Sequence, residues 1–217
     1  MIKLELSESG VAVDILENEI RTQKYLSLAS FRSGVMSGFK LDTGLLPSGT
    51  VAYQKAGTIT KVAFIQQAGI QSVGFEKTEM INGEKKTIIR KFKVPFPLFL
   101  WIATLDIKNV INETKIYAVK DKLITMDTIL YNAPFSNVYS AGRVCWGNDN
   151  ILSVPLKTLV GLESLPGIFF SKTFNIDLDI PFHGGTLNFF TEFDGKDVFP
   201  LEDLVRNTTF KKEWQKK

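Results

Sequence analysis

The chain has 217 residues, a formal charge of +3, one cysteine and one histidine. It is long enough to bury a full core without covalent staples, and 44% hydrophobic with 23% charged residues is a globular composition. One Cys and one His exclude an internal disulfide and a cysteine-based zinc site, and the small, scattered charge argues against nucleic acid as a partner.

The opening residues Ile2, Leu4 and Leu6 alternate with charged ones, so they predict a strand and not a signal peptide. Val11, Val13 and Ile15 alternate likewise, with Gly10 between the runs, which predicts an opening hairpin. A helical patch is expected within Leu16–Ser30, and Ser33–Gly49, with four glycines and Pro47, is read as loop. Residues 1–45 are thus an N-terminal extension or an extra hairpin of the same domain, and 46–217 form the main domain.

From Thr50 the pattern turns to strand: Val51 with Tyr53, Val62 with Phe64, and Val73 with Phe75 running on to Ile81. Asn82-Gly83 then predicts a tight hairpin turn, because both positions accept positive φ. Thr87–Val94 is the return strand, Leu98–Leu105 a buried strand and Lys115–Lys120 a short one, together an antiparallel meander. The longest apolar run, Val94 to Leu105, is too short to span a bilayer, which takes about 20 residues. Asn132–Asn150 is read as a structured loop. Pro155 to about Leu165 is expected to be a helix ended by Pro166-Gly167, Thr186–Phe193 a strand or short helix, and Leu201–Arg206 a last helical turn or two. The basic tail around Trp214 is read as a solvated end, with a weak docking site for an acidic partner as the alternative. Strands first and helices later is an α+β layout, and a reduced cytoplasmic setting suits the single thiol.

The chemistry-bearing segment is the loop that holds Cys145. Asn137 lies eight residues before the thiol and Gly142 three before it. An Asn amide near a thioester carbonyl can stabilise the oxyanion formed under attack, and the small residues Ser140, Ala141 and Gly142 let the chain turn back so that the two ends meet. A thiolate with solvent access is what thioester chemistry requires.

The segment Asn137-Val138-Tyr139-x-x-Gly142-x-Val144-Cys145 resembles the active-site loop of ubiquitin-conjugating enzymes, whose His-Pro-Asn triplet precedes the catalytic cysteine by the same interval. Asn137 and Cys145 match that pattern; Phe135 and Ser136 stand where the His and Pro would be. A closer resemblance, over roughly Leu45 to Asn150, is to PRTRC system protein B, also described as prokaryotic ubiquitin-conjugating family D. It is carried by Leu130-Tyr131-Asn132-Ala133-Pro134-Phe135 and Gly142-Arg143-Val144-Cys145-Trp146-Gly147-Asn148. The resemblance implies a ubiquitin-conjugating-like α+β fold: a meander, then an active-site loop, then C-terminal helices. It implies thioester transfer through Cys145, no cofactor, and a setting on plasmids or mobile elements. The implied partners are a small ubiquitin-like modifier, a ThiF-like adenylating enzyme and a JAB-type metallopeptidase.

Bland readings stand beside these. Asn137 is otherwise a loop residue bonding its own backbone. Trp146 and Tyr139 are read as loop-packing aromatics and Gly142 as the turn. Asp149 is a secondary candidate for orienting an attacking amine, and His183 for lowering the thiol's pKa; a solvated carboxylate and a surface turn histidine are the plainer readings. The pairs Phe96 and Phe99, Phe169 and Phe170, and Phe189 and Phe190 are read as core, with a docking face as the alternative. A catalytically silent adaptor of the same system competes with the enzyme, and a DNA-contacting maintenance factor is a third reading.

Overall fold

The computed structural model describes all residues except 1, 9, 18–19, 33–42, 148–149, 179–181 and 217. The chain divides into two compact units, Met1–Thr43 and Gly44–Lys217.

The first unit is a three-stranded antiparallel sheet of β1 (Ile2–Ser7), β2 (Gly10–Glu17) and β3 (Ile20–Leu26). Leu4 faces Val13 across the expected opening hairpin. The helical patch expected from Leu16 is instead mostly β3, paired with β2 from Val11↔Leu26 to Glu17↔Ile20. Ile20, Thr22 and Tyr25 are strand-formers, and a waiting strand edge outweighs weak helical periodicity. Most of the loop expected at Ser33–Gly49 lies outside the described residues.

The second unit is built on a six-stranded antiparallel sheet in the order β12-β10-β9-β8-β5-β4. Its strands are β4 (Thr50–Ala56), β5 (Ile59–Gln66), β8 (Leu98–Leu105), β9 (Ile111–Val119), β10 (Ile129–Tyr131) and β12 (Arg206–Thr209). Between β5 and β8 the chain leaves this sheet as a long ribbon, β6 (Gly69–Ile81) and β7 (Glu84–Phe96). Asn82 (φ 53°) and Gly83 (φ 81°) make the expected turn, with Ile81 facing Glu84. The two-residue β11 (Thr173–Phe174) adds to β6 in parallel.

The continuous apolar run of β8 follows from its place. Phe99, Trp101, Ala103 and Leu105 face one core; Leu98, Leu100 and Ile102 face another on the opposite side of the sheet. The larger core is aromatic and is closed by α1 (Ser164–Ser171) and α2 (Thr186–Phe193). All six phenylalanines read as core are buried. The smaller core is capped by α3 (Phe210–Trp214), through Phe210 and Trp214.

The expected ubiquitin-conjugating-like α+β layout is overturned. Among the described residues 46% are strand and 20% helix, and the main body is a curled antiparallel half-barrel. No described helix in it exceeds eight residues. The single meander fails because the β6–β7 ribbon peels away and lets β5 pair with β8 directly. The second half is not purely helical either, since β11 and β12 return to the two sheets. Pro166-Gly167 does not end a helix. Leu159–Glu163 is a 3-10 turn, and Pro166 sits in the first turn of α1, where a missing N–H costs nothing. Leu201–Asp203 is a single 3-10 turn before β12. In the basic tail Lys211, Lys212 and Lys216 are exposed, but the segment is anchored and not frayed: Glu213 is 2% exposed beside Lys115 and Lys216, and Trp214 is buried. Among the described residues no helix is long and apolar enough to cross a membrane.

Candidate functional site

The thiol segment forms a small hairpin. Val138 bridges Val144, the Tyr139 N–H donates to the Arg143 carbonyl at 2.9 Å, and the Cys145 N–H donates to the Asn137 carbonyl at 2.7 Å. The pairs close on a three-residue loop, Ser140-Ala141-Gly142, in which the Gly142 N–H donates to the Tyr139 carbonyl at 2.7 Å. This is a tight turn followed by a left-handed residue, Gly142 at φ 81°. The eight-residue interval thus has a geometric meaning: it sets Asn137 and Cys145 opposite one another.

Alternation then sorts the side chains. Val138 and Val144 point into the large core, at 4% and 6% exposure. Tyr139, Arg143 and Cys145 share the other face. Cys145 is half-buried there and Tyr139 is exposed.

The hairpin is fixed to the edge of β9 where β10 does not reach. The Ile116 N–H donates to the Gly142 carbonyl and the Val144 N–H to the Thr114 carbonyl, each at 2.9 Å. The backbones of Lys115 and Arg143 pair as a further antiparallel β-bridge. The Tyr117 hydroxyl, buried beneath the turn, donates to the Ala141 carbonyl at 2.6 Å. Burial, reinforced by Glu213 and Glu113, pushes that phenol far above its ordinary value. Trp146 packs against Phe169 and donates its indole N–H to the Thr114 hydroxyl at 2.7 Å.

The other end of the loop is held by packing. Phe135 is fully buried, with ring centroids at 5.4 Å from Phe96 and Phe99 and 5.2 Å from Phe169. Ser136 follows, its N–H donating to the Thr186 hydroxyl at the start of α2. An aromatic anchor and a backbone bond therefore shape the chain just before Asn137. Asn137 itself is left-handed, at φ 67°, a conformation that Asn tolerates better than most residues. Its amide nitrogen donates to the Thr173 carbonyl of β11 at 3.2 Å.

The structure brings some of the candidates together and separates others. Tyr139 lies over the thiol, with its hydroxyl 3.9 Å from Cys145 Sγ. His183 has another environment: Nδ1 lies 3.0 Å from Glu192 and Nε2 2.9 Å from Asp203. Asp149 lies outside the described residues. Arg143, which sequence reading did not single out, sits with its guanidinium carbon 4.3 Å from the centroid of the Tyr139 ring. The signal that could have found it is the hairpin spacing, which pairs it with Tyr139. A cleft of about 430 Å³ lies on the turn side of the hairpin, lined by Asn132, Val138, Tyr139, Gly142, Leu178 and Phe182 among others. Among the described residues no group of His, Cys, Asp and Glu is placed to hold a metal ion.

The family model of prokaryotic E2 family D matches residues 35–180, a span that contains the ribbon, the half-barrel up to β10 and the whole Cys145 hairpin. The chain belongs to prokaryotic E2 family D. As a member of that family it is a ubiquitin-conjugating-like protein of a conjugation system, a class that works with ubiquitin-like modifiers and their activating enzymes. No curated protein and no solved structure matches it.

Proposed function

We propose that this family member accepts a small ubiquitin-like modifier as a thioester on Cys145 and transfers it to an acceptor amine. The observation that carries the reading is the placement of the chain's one thiol, half-buried on the open face of a rigid hairpin inside the family-matched span, directly opposite Asn137. The Cys145 thiolate attacks the activated C-terminal carbonyl of the modifier. A C–S bond forms and the activating group leaves. An amine then attacks the same carbon, an N–C bond forms, the C–S bond breaks, and the thiol is regenerated with the amine's proton. The partners of this reading are a ThiF-like adenylating enzyme and the modifier, with a JAB-type metallopeptidase in the same plasmid or mobile-element system, acting in the reducing cytoplasm.

Intact-protein mass spectrometry after mixing the chain with ATP, the adenylating enzyme and the modifier tests this. The expected result is an adduct of one modifier, lost on thiol reduction and absent from Cys145→Ala. A charged adenylating enzyme with no adduct on this chain would refute transfer. One observation favours a second reading, a catalytically silent adaptor: the Asn137 amide nitrogen is committed to the Thr173 carbonyl. That reading predicts binding of the charged modifier without an adduct.

A further inference from the structure

Three residues alternate onto the open face of the hairpin, and they form a chain. The Tyr139 hydroxyl lies 3.9 Å from Cys145 Sγ, at the long end of hydrogen bonding to sulfur. The Arg143 guanidinium carbon lies over the ring of the same tyrosine, 4.3 Å from its centroid. This order is built into the backbone. Arg143 and Tyr139 are the pair that closes the loop, joined from the Tyr139 N–H to the Arg143 carbonyl at 2.9 Å. Cys145 is two residues further along the same face. Neither Tyr139 nor Arg143 is needed to fill the core, since both are exposed.

We infer that Tyr139 is the hydrogen-bond donor to the sulfur anion of Cys145 and that Arg143, stacked on its ring, is the residue that positions and polarises it. A donor to an anion forms a stronger bond than a donor to a neutral thiol. A cation on the ring face draws charge from the phenol and holds the ring over the sulfur. Both effects act on negative charge at the sulfur and leave the neutral thiol nearly unaffected, so the pair favours the sulfur in its nucleophilic form. The inference rests on Cys145 being the acyl carrier. Its test uses no modifier, so a failure of charging and a failure of this relay are told apart.

Because Cys145 is the single cysteine, the rate of alkylation by iodoacetamide reports on this sulfur alone. The rate is measured from pH 6 to 10 for the wild-type chain, Tyr139→Phe, Arg143→Gln and Arg143→Lys. Tyr139→Phe is expected to react on the order of three- to tenfold more slowly at neutral pH, with the gap closing at alkaline pH where all forms are ionised. Arg143→Gln is expected to give about a two- to threefold deficit of the same pH shape, and Arg143→Lys to recover part of it. Equal rates, or a deficit that is constant across pH, would overturn the inference, because a role limited to packing changes access to the sulfur equally at every pH. Unchanged melting of each variant accompanies the expected result, since the substituted side chains are exposed.

Discussion

Gly142→Ala isolates the constraint that holds the Cys145 hairpin. A Cβ at this position would stand 2.4 Å from Tyr117 Cζ and 2.6 Å from Cε1, far inside contact distance. The tyrosine cannot yield: it is fully buried, and its hydroxyl is tied to the Ala141 carbonyl within the same turn. The backbone is left-handed at φ 81°, which costs an L-residue about 1–2 kcal/mol. Overpacking against the fixed ring adds about 1–3 kcal/mol. The sum, about 2–5 kcal/mol, is a large share of a typical stability of roughly 5–15 kcal/mol. Gly147→Ala is the internal control. It is also left-handed, at φ 67°, but nothing among the described residues lies within 4 Å of its added Cβ, so it should carry only the backbone cost of about 1–2 kcal/mol. Urea denaturation of both variants measures the difference. Equal losses, or no loss for Gly142→Ala, would refute the claim that the Tyr117 ring dictates glycine at the turn.

Other outcomes follow from the same contacts. Phe135→Ala should cost about 3–5 kcal/mol by denaturant unfolding, because its ring has aromatic neighbours on several sides and the surrounding rings cannot all collapse into the gap. Ser136→Ala should be neutral or stabilise the fold by up to about 1 kcal/mol, since its buried hydroxyl has no hydrogen-bond partner among the described residues; a lower melting temperature would count against this. Lys115→Met should destabilise by about 3 kcal/mol, because the Glu213 carboxylate stays buried after losing one of its two ion-pair partners among the described residues. Burial alone would raise the Glu213 pKa, but Lys115 and Lys216 outweigh it and hold the carboxyl below its usual 4.5. A depressed folded-state value means that the stabilisation is present above the unfolded value and is lost as pH falls below about 4.5 towards the folded one. Glu213→Gln should therefore flatten that acid limb of a stability-versus-pH curve and leave its shape near neutrality unchanged.

Where the local pattern alone fixes the geometry, the sequence was a good guide. Asn82-Gly83 set a turn because two positive φ values are needed there. The Leu98–Leu105 run set a strand buried on both sides. The interval from Asn137 to Cys145 pointed to a reversal. What stayed hidden depends on partners distant in the chain. Nothing local to β6 and β7 says that they leave the sheet; only the pairing of β5 with β8 decides it. The tail reads as a charged end until β12 pairs with β10 and swings Trp214 and Glu213 under the sheet. Leu16–Ser30 carries little periodicity of its own, so the edge of β2 chose its state. At the site, Phe135 standing where relatives of the resembled loop carry His removes a polar organiser on paper, and only the surrounding rings show what replaces it. Arg143 reads as an ordinary surface charge until its cross-hairpin partner is known.

The hairpin's alternation also limits how this loop can change length. Whether the sulfur meets solvent or core is a matter of parity: two valines look inward, and Tyr139, Arg143 and Cys145 beside them look out. Adding or deleting one residue within the arms, between Asn137 and Tyr139 or between Arg143 and Cys145, would exchange the faces of that arm, presenting a valine to water and turning a polar or reactive side chain into the aromatic interior. Length variation compatible with a thiol on the open face is therefore expected in steps of two along the arms, or confined to the turn itself. There Tyr117 leaves little room for anything but glycine at position 142.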